Sequence, residues 1–177
     1  MQPLRIGSVR YLNTAPLIEG LTGLESVQLE AAVPSHLIDL LLSKQVDLAL
    51  VSIIDAARSP EPLTIVPASM IGCDGPTLTV RLFSTKPIDQ ISELHADTDS
   101  HTSVALARLL LAERFGLSPK VIDFDARERI ERPPAGSGDT AEWPDAMLLI
   151  GDKVVTDSPP AVRYPHQLDL GEAWHEL

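Results

Sequence analysis

The sequence has little of what secreted, membrane-embedded or disulfide-stabilised proteins need. Its one cysteine, Cys73, excludes an intramolecular disulfide and is typical of a cytoplasmic protein. No apolar run reaches the length of a membrane span, and the start lacks the basic and apolar regions of a signal peptide. We therefore expect a cytoplasmic protein that does not act in a membrane, with Cys73 as a small core residue.

Basic residues are also scarce, since 14 Lys and Arg stand against 25 Asp and Glu, for a net charge of −11. This charge argues against a nucleic-acid partner, which would need a basic face. A small anionic ligand is still compatible, because a site can be locally positive on an acidic protein. The chain has no phosphate-binding or dinucleotide-binding glycine motif, and its five histidines are scattered. We expect no metal and no other cofactor.

What the chain does contain is an alternation of strand and helix patterns. With 177 residues, 44% of them hydrophobic, it is long enough to bury a core. In the first part, apolar patterns predict strands over 27–33, 46–54 and 63–67 and a helix over 36–44. This β–α–β spacing predicts a parallel sheet with right-handed crossovers.

The pattern changes at the turn residues 73–76. Beyond them we predict strands over 77–84, 121–124 and 146–150, an irregular segment over 127–144, and a helix that opens at 98–103 and ends near Gly116. The fold class is therefore α/β, with two lobes over 1–75 and 76–177 and a cleft between them. Ligands of such sheets sit beyond the carboxyl ends of the strands.

Three polar turns supply the candidate binding residues. Hydroxyl side chains at a helix start, with free N–H groups behind them, suit a carboxylate or phosphate. The same residues also have ordinary roles, because caps and strands use these residue types too. The three turns are Asn13-Thr14, the segment from Gly75 to Thr79, and Ser100-His101-Thr102-Ser103.

Four further side chains have two interpretations each. Ser52, late in a predicted buried strand, either faces a cleft or satisfies a backbone group. Arg10 and Arg81 either pair with a carboxylate or are solvated. Asp152, after the strand over 146–150, is either a base or a turn-capping residue.

The opening run, Arg-Ile-Gly-Ser-Val-Arg-Tyr-Leu-Asn-Thr-Ala-Pro-Leu over 5–17, resembles the start of the chorismate dehydratase family, which acts in the futalosine route to menaquinone. Further segments resemble the same family, in family order and over almost the whole chain. They are Val-Asp-Leu-Ala-Leu-Val-Ser over 46–52, Gly-Cys-Asp-Gly-Pro over 72–76, Ser-His-Thr-Ser-Val over 100–104, Leu-Leu-Leu-Ala-Glu-Arg-Phe-Gly over 109–116, Asp-Ala-Met-Leu-Leu-Ile-Gly-Asp over 145–152 and Asp-Leu-Gly-Glu-Ala-Trp over 169–174.

The resemblance implies a fold like that of a type II periplasmic binding protein, with the active site between two lobes. It implies that the small-molecule substrate is the dianion chorismate, dehydrated to 3-[(1-carboxyvinyl)oxy]benzoate. Asn13 and Thr79 would be catalytic, with Thr79 standing where the family has serine, and His101 stands where arginine is common. The substrate-binding residues would be Arg10, Ser52, Gly75, Ser100, His101, Thr102, Ser103 and Asp152.

This chain departs from the family at its end, because members continue past the Glu-Ala-Trp segment with a strand and helices that complete the first lobe. We therefore expect an incomplete first lobe with an exposed apolar surface, and homo-oligomers that cover it. Two other functions fit the same fold. One is a non-catalytic module that binds a small anion, and the other is the sister dihydroxynaphthoate synthase, which acts on a cyclic futalosine derivative.

Overall fold

The computed structural model describes residues 2–126 and 143–177 of the chain. The chain forms two compact units, the first made of Met1–Gly72 with Asp99–Thr102 and the second of Cys73–Thr98 with Ser103–Leu177. The first change of unit falls between Gly72 and Cys73, whereas the sequence analysis placed the boundary between the lobes after residue 75.

The first unit is built on a three-stranded parallel sheet of order β2-β1-β3. Its strands are β1 (Leu4–Val9), β2 (Val27–Ala32) and β3 (Leu48–Ala49), and its helices are α1 (Ala15–Ile18), α2 (Pro34–Leu42) and α3 (Ile53–Arg58). Val9, Leu37, Leu40 and Val46 form its buried core. The predicted parallel sheet is confirmed.

In the first unit, one strand prediction is confirmed only in part and another is wrong. Of the run 46–54, only Leu48–Ala49 pairs with β1, and the chain turns into α3 at Ile53. The apolar run supports either element, and the side chain of Ser52 decides for a helix by capping it. The segment 63–67 forms no strand, and Ile65 stays 71% exposed. Within the described residues this segment has no neighbouring strand that would complete its backbone hydrogen bonds.

The second unit is built on a five-stranded mixed sheet of order β6-β5-β7-β4-β8. The strands are β4 (Val80–Ser84), β5 (Glu93–Asp97), β6 (Lys120–Phe124), β7 (Ala146–Ile150) and β8 (His166–Asp169). β5 pairs in parallel with β6 and β7, whereas β4 is antiparallel to β7 and β8. All five residues of β7 are buried, as the unbroken apolar run over 146–150 predicted.

The predicted long helix is α4 (His101–Phe115), and the later helices are α5 (Lys153–Thr156) and α6 (Leu170–His175). Gly116 follows α4 with a φ of +67°, a left-handed conformation that ends the helix and favours glycine. Ala107, Leu110 and Leu111 of α4 lie in the core with residues of β4, β5 and β7. Most of the irregular segment predicted over 127–144 lies outside the described residues.

Cys73 is exposed, so its prediction as a core residue is wrong. It lies in a surface turn, where its thiol contacts the carbonyl oxygens of Gly75 and Pro76. Across the described residues, the helices are all too short or too polar to cross a membrane.

Candidate functional site

In the first unit, the segment 99–101 contacts residues that follow the carboxyl ends of all three parallel strands. The hydroxyl of Tyr11, after β1, donates to Asp99 Oδ2 at 2.7 Å. The N–H of Ser35, after β2, donates to the Asp99 carbonyl at 3.0 Å. His101 contacts Asp55, after β3, at 2.8 Å. The start of α4 is therefore fixed at the edge of the sheet where ligands of parallel sheets bind.

Ser52, Asp55 and His101 are joined by hydrogen bonds. Ser52 Oγ accepts from the backbone N–H of Asp55 at 3.2 Å and donates to Asp55 Oδ2 at 2.7 Å. The Nδ1–H of His101 donates to Asp55 Oδ1 at 2.8 Å. Ser52 therefore satisfies a backbone group, which is one of its two predicted roles, and also braces a carboxylate that holds His101.

Asn13 lies in a 3₁₀ turn, Leu12–Thr14, that leads from β1 into α1. It is exposed, and its Oδ1 accepts a long 3.5 Å hydrogen bond from the hydroxyl of Thr14. Thr14 is fully buried at the N-cap position of α1, without a side-chain capping bond. Arg10 is exposed as well, with its backbone N–H donating to Ala32. The carboxamide of Asn13 is thus presented to solvent just beyond the carboxyl end of β1.

The hydroxyl residues at the start of α4 differ in burial and bonding. Ser100 and Ser103 are buried, with 8% and 6% exposed. The Thr102 hydroxyl oxygen is buried and has no hydrogen-bond partner among the residues that the structure describes. A buried hydroxyl without a partner is costly, so Thr102 is not explained as an ordinary helix cap.

In the second unit, Thr79 and the Gly151-Asp152 turn are neighbours. Gly151 donates its N–H to the Thr79 carbonyl at 2.8 Å, which extends the pairing of β4 with β7 by one step. The Thr79 hydroxyl, half-buried, makes only a long 3.4 Å contact with the Thr77 carbonyl. Asp152 occupies the N-cap position of α5, as the turn-capping interpretation requires, but its side chain makes no capping hydrogen bond.

Asp169 organises the segment that contains Gly75 and Thr79. Its carboxylate accepts from the N–H of Thr77 at 2.9 Å, the N–H of Leu78 at 2.7 Å and the Thr77 hydroxyl at 2.9 Å. Leu78 has a φ of +62°, which a branched side chain rarely adopts, and this bond holds it there. Burial raises the pKa of Asp169, but the backbone N–H donors outweigh it and the pKa is lowered.

A buried ion pair lies at the carboxyl end of β5. Lys153 Nζ is 2.5 Å from Asp97 Oδ2, and their side chains are 7% and 1% exposed. Asp97 also accepts from the N–H of Ile150, the last residue of β7. The pair fixes the turn that carries Asp152, since Lys153 is the next residue. Within the described part of the chain, no group of three or more His, Cys, Asp or Glu side chains is placed to hold a metal ion.

Sequence reasoning missed Asp55, Asp97, Lys153 and Asp169 as organising residues. The sequence did contain a signal for Asp55. A serine followed three residues later by an acidic residue is the pattern of a reciprocal helix cap, and Ser52 and Asp55 have this spacing. For Asp97 and Lys153 there was none, since their contact joins residues far apart in the sequence.

The family follows from a sequence comparison that spans nearly the whole chain. Residues 4–177 match the model of a family described as menaquinone biosynthesis. The chain belongs to this family.

A chorismate dehydratase from Thermus thermophilus is 34% identical over 155 residues, which are 88% of this chain and 53% of that protein. The chain thus spans about half the length of this curated relative. Among solved structures, a protein from Archaeoglobus fulgidus has a TM-score of 0.58 at 15% identity, covering 98% of this chain and 62% of its own, and shares the fold. A cysteine-binding protein from Campylobacter jejuni has a TM-score of 0.42 at 13% identity, covering 86% of this chain and 65% of its own.

Proposed function

We propose that this protein dehydrates chorismate to 3-[(1-carboxyvinyl)oxy]benzoate in the futalosine route to menaquinone, and that it does so in the cytoplasm. The observation that carries the proposal is the 34% identity with a chorismate dehydratase over 88% of the chain, within a matched menaquinone biosynthesis family. Two hydrogen-bond donors support it, because the Asn13 carboxamide is exposed just beyond β1 and the buried Thr102 hydroxyl at the start of α4 has no partner within the described residues.

The reaction asks the protein for positioning above all. Loss of the ring hydroxyl and a ring proton makes an aromatic ring, so the product supplies much of the driving force. The substrate is a dianion, and each carboxylate needs donors that fix its place. We assign Asn13 and Thr79 to the enolpyruvyl carboxylate, since the Asn13 carboxamide is exposed and the Thr79 hydroxyl makes only a long contact.

The start of α4 is assigned to the other carboxylate. The dipole of a helix favours an anion at its start, and the buried hydroxyl of Thr102 adds a donor that has no partner within the described residues. The substrate's own enolpyruvyl carboxylate takes the ring proton as the bond from the ring carbon to its hydroxyl oxygen breaks. The hydroxide that leaves takes up one proton, so that water is released and the carboxylate is regenerated.

The test is to incubate the purified chain with chorismate and to follow the product by chromatography and mass. Formation of the 3-substituted benzoate above the uncatalysed background is the expected result. A parallel incubation with the cyclic futalosine derivative separates the sister synthase. Turnover of that compound alone, or saturable chorismate binding without turnover, would contradict the proposal.

A further inference from the structure

The hydrogen bonds among Ser52, Asp55 and His101 have a fixed direction. Ser52 Oγ accepts the N–H of Asp55, so its single hydroxyl proton is the one donated to Asp55 Oδ2. An ionised carboxylate only accepts, which makes Nδ1 of His101 the donor to Oδ1 at 2.8 Å. Both oxygens of Asp55 are therefore occupied, and the proton on His101 nearest to Asp55 is at Nδ1.

The two partners differ sharply in exposure. The Asp55 side chain is 8% exposed and the His101 side chain 48%. A carboxylate withdrawn from water is costly unless hydrogen-bonded donors or a cation compensate it. Nε2 lies on the ring edge remote from Nδ1, and about half of the His101 side chain is open to solvent.

The position of His101 in α4 explains why the hydrogen bond to the Asp55 carboxylate matters. It is the first residue of α4, a helix of 15 residues, and the dipole of a helix disfavours a cation at its N-terminus. The Asp55 carboxylate, coming from a different helix 46 residues earlier, opposes that effect. An imidazolium held by a carboxylate at Nδ1 is stabilised and correctly oriented at once.

We propose that Asp55 is a positioning residue that holds His101 by Nδ1, so that the imidazolium offers a single charged donor, Nε2–H, to a carboxylate of the anionic substrate. Ser52 acts indirectly, because its hydroxyl donates to Oδ2 of Asp55 and so fixes the orientation of the carboxylate. This inference rests on the proposed function only for the identity of the anion. Charge-assisted hydrogen bonds to carboxylates are about twice as strong as neutral ones, whereas the lone pair of a neutral Nε2 would repel a carboxylate.

Kinetics of four variants separate this role from a structural one. His101→Gln raises the KM for chorismate roughly 10- to 100-fold, as the loss of a hydrogen bond to a charged group implies, with kcat changed only a few-fold. Asp55→Asn also raises KM. His101→Arg keeps a low KM, because arginine is charged without a partner, and adding Asp55→Asn to it has no further effect.

The matched control is Asp39→Asn. Asp39 Oδ2 lies 3.9 Å from Nδ1 of His36, with both side chains exposed, so this variant removes a carboxylate beside a different histidine. It leaves KM unchanged. Circular dichroism and thermal unfolding of each variant show that the fold persists.

A spectroscopic measurement decides the inference even without turnover. In ¹⁵N spectra of histidine-labelled protein, the signals of His101 are those that vanish in His101→Gln. Nδ1 of His101 carries a proton in the unchanged chain and loses part of it in Asp55→Asn, and chorismate shifts the Nε2 signal.

The outcomes separate the two proposals. A shift of Nε2 by chorismate that is weaker in Asp55→Asn, in the absence of turnover, supports the role of Asp55 and contradicts the proposed reaction. Unchanged Nδ1 signals and unchanged KM in Asp55→Asn would overturn the role of Asp55. A fall in kcat at constant KM in His101→Gln would overturn it too, because it would place His101 in the chemical step.

Discussion

Asp169 shows how one buried carboxylate can hold a whole segment. It is 6% exposed and accepts hydrogen bonds from Thr77 and Leu78 on one side and from the N–H of Gly171 and Glu172 on the other. These donors lower its pKa. Removal of the carboxylate would leave several partly buried N–H groups without their acceptor.

We predict that Asp169→Ala lowers the free energy of unfolding by about 2–4 kcal/mol, as expected when a buried network loses its acceptor. Because the folded-state pKa is lowered, the ionised form contributes stability above the unfolded value of 3.8, and this contribution is lost as pH falls through the folded value. Chemical denaturation of the unchanged chain and of Asp169→Ala, from neutral to acid pH, measures the difference between their free energies of unfolding. We expect this difference to become smaller below about pH 3.8.

The control is Asp123→Ala, since Asp123 is an exposed aspartate of β6. A surface change of this kind alters stability by less than about 0.5 kcal/mol. Equal stability of Asp169→Ala and Asp123→Ala would show that Asp169 does not organise the segment 75–79.

Residue types at the candidate site were readable from the sequence, but their connections were not. Asn13 and His101 stood in recognisable turn and helix-start patterns. The bond from His101 to Asp55 joins residues 46 positions apart, so only the folded chain makes it visible. Ser52 was assigned to a strand because its neighbours are apolar, but an apolar run is compatible with a helix as well. In the structure Ser52 caps the helix α3 by accepting from the N–H of Asp55.

At the scale of elements, the start of α6 packs closely on the Gly75–Thr77 segment. A Cβ on Gly171 would collide with the Gly75 carbonyl oxygen and with both the N and the Cγ2 of Thr77. Glycine is needed there because two backbone segments approach each other, and no flexible side chain can move aside.

We predict that Gly171→Ala lowers the free energy of unfolding by about 1–3 kcal/mol, the usual cost of overpacking. The matched control is Gly23→Ala, since a Cβ at Gly23 meets nothing within 4 Å. Thermal unfolding compares the two. If both variants melt at the same temperature, the close packing of α6 on the segment 75–77 is not a source of stability.

A strand with an unbroken apolar run was predictable from the sequence, whereas short or partly polar strands were predicted badly or missed. β7 occupies the predicted residues 146–150 because a central strand needs an unbroken apolar run. β3 is reduced to two residues at the edge of its sheet, and β8 was missed, since His166–Asp169 is short and partly polar. Tertiary pairing decides such cases, and local sequence does not.

At the scale of the whole molecule, the first unit exposes apolar side chains along the segment 63–71, which forms neither helix nor strand. Ile65, Val66, Met70 and Ile71 are 71%, 51%, 79% and 46% exposed. Soluble monomers rarely leave such a cluster uncovered. We propose that two or more copies of this chain associate through it.

Light scattering over a range of concentrations measures this association. The expected result is a mass that rises above the 19.2 kDa of one chain, and that falls back towards it in the double variant Ile65→Ser and Met70→Ser. A Val162→Ser variant is the control, because Val162 is 98% exposed in the second unit and outside the cluster. A constant monomer mass at every concentration would disprove the association.

The most direct test of the account is the turnover of chorismate by the unchanged chain and by Asn13→Ala. The Asn13 carboxamide is assigned to hold the substrate, so its removal lowers kcat roughly 10²-fold, the cost of a lost positioning group. Gln28→Ala, which removes an exposed carboxamide from β2, keeps the full rate. Equal turnover by Asn13→Ala and the unchanged chain would contradict the account.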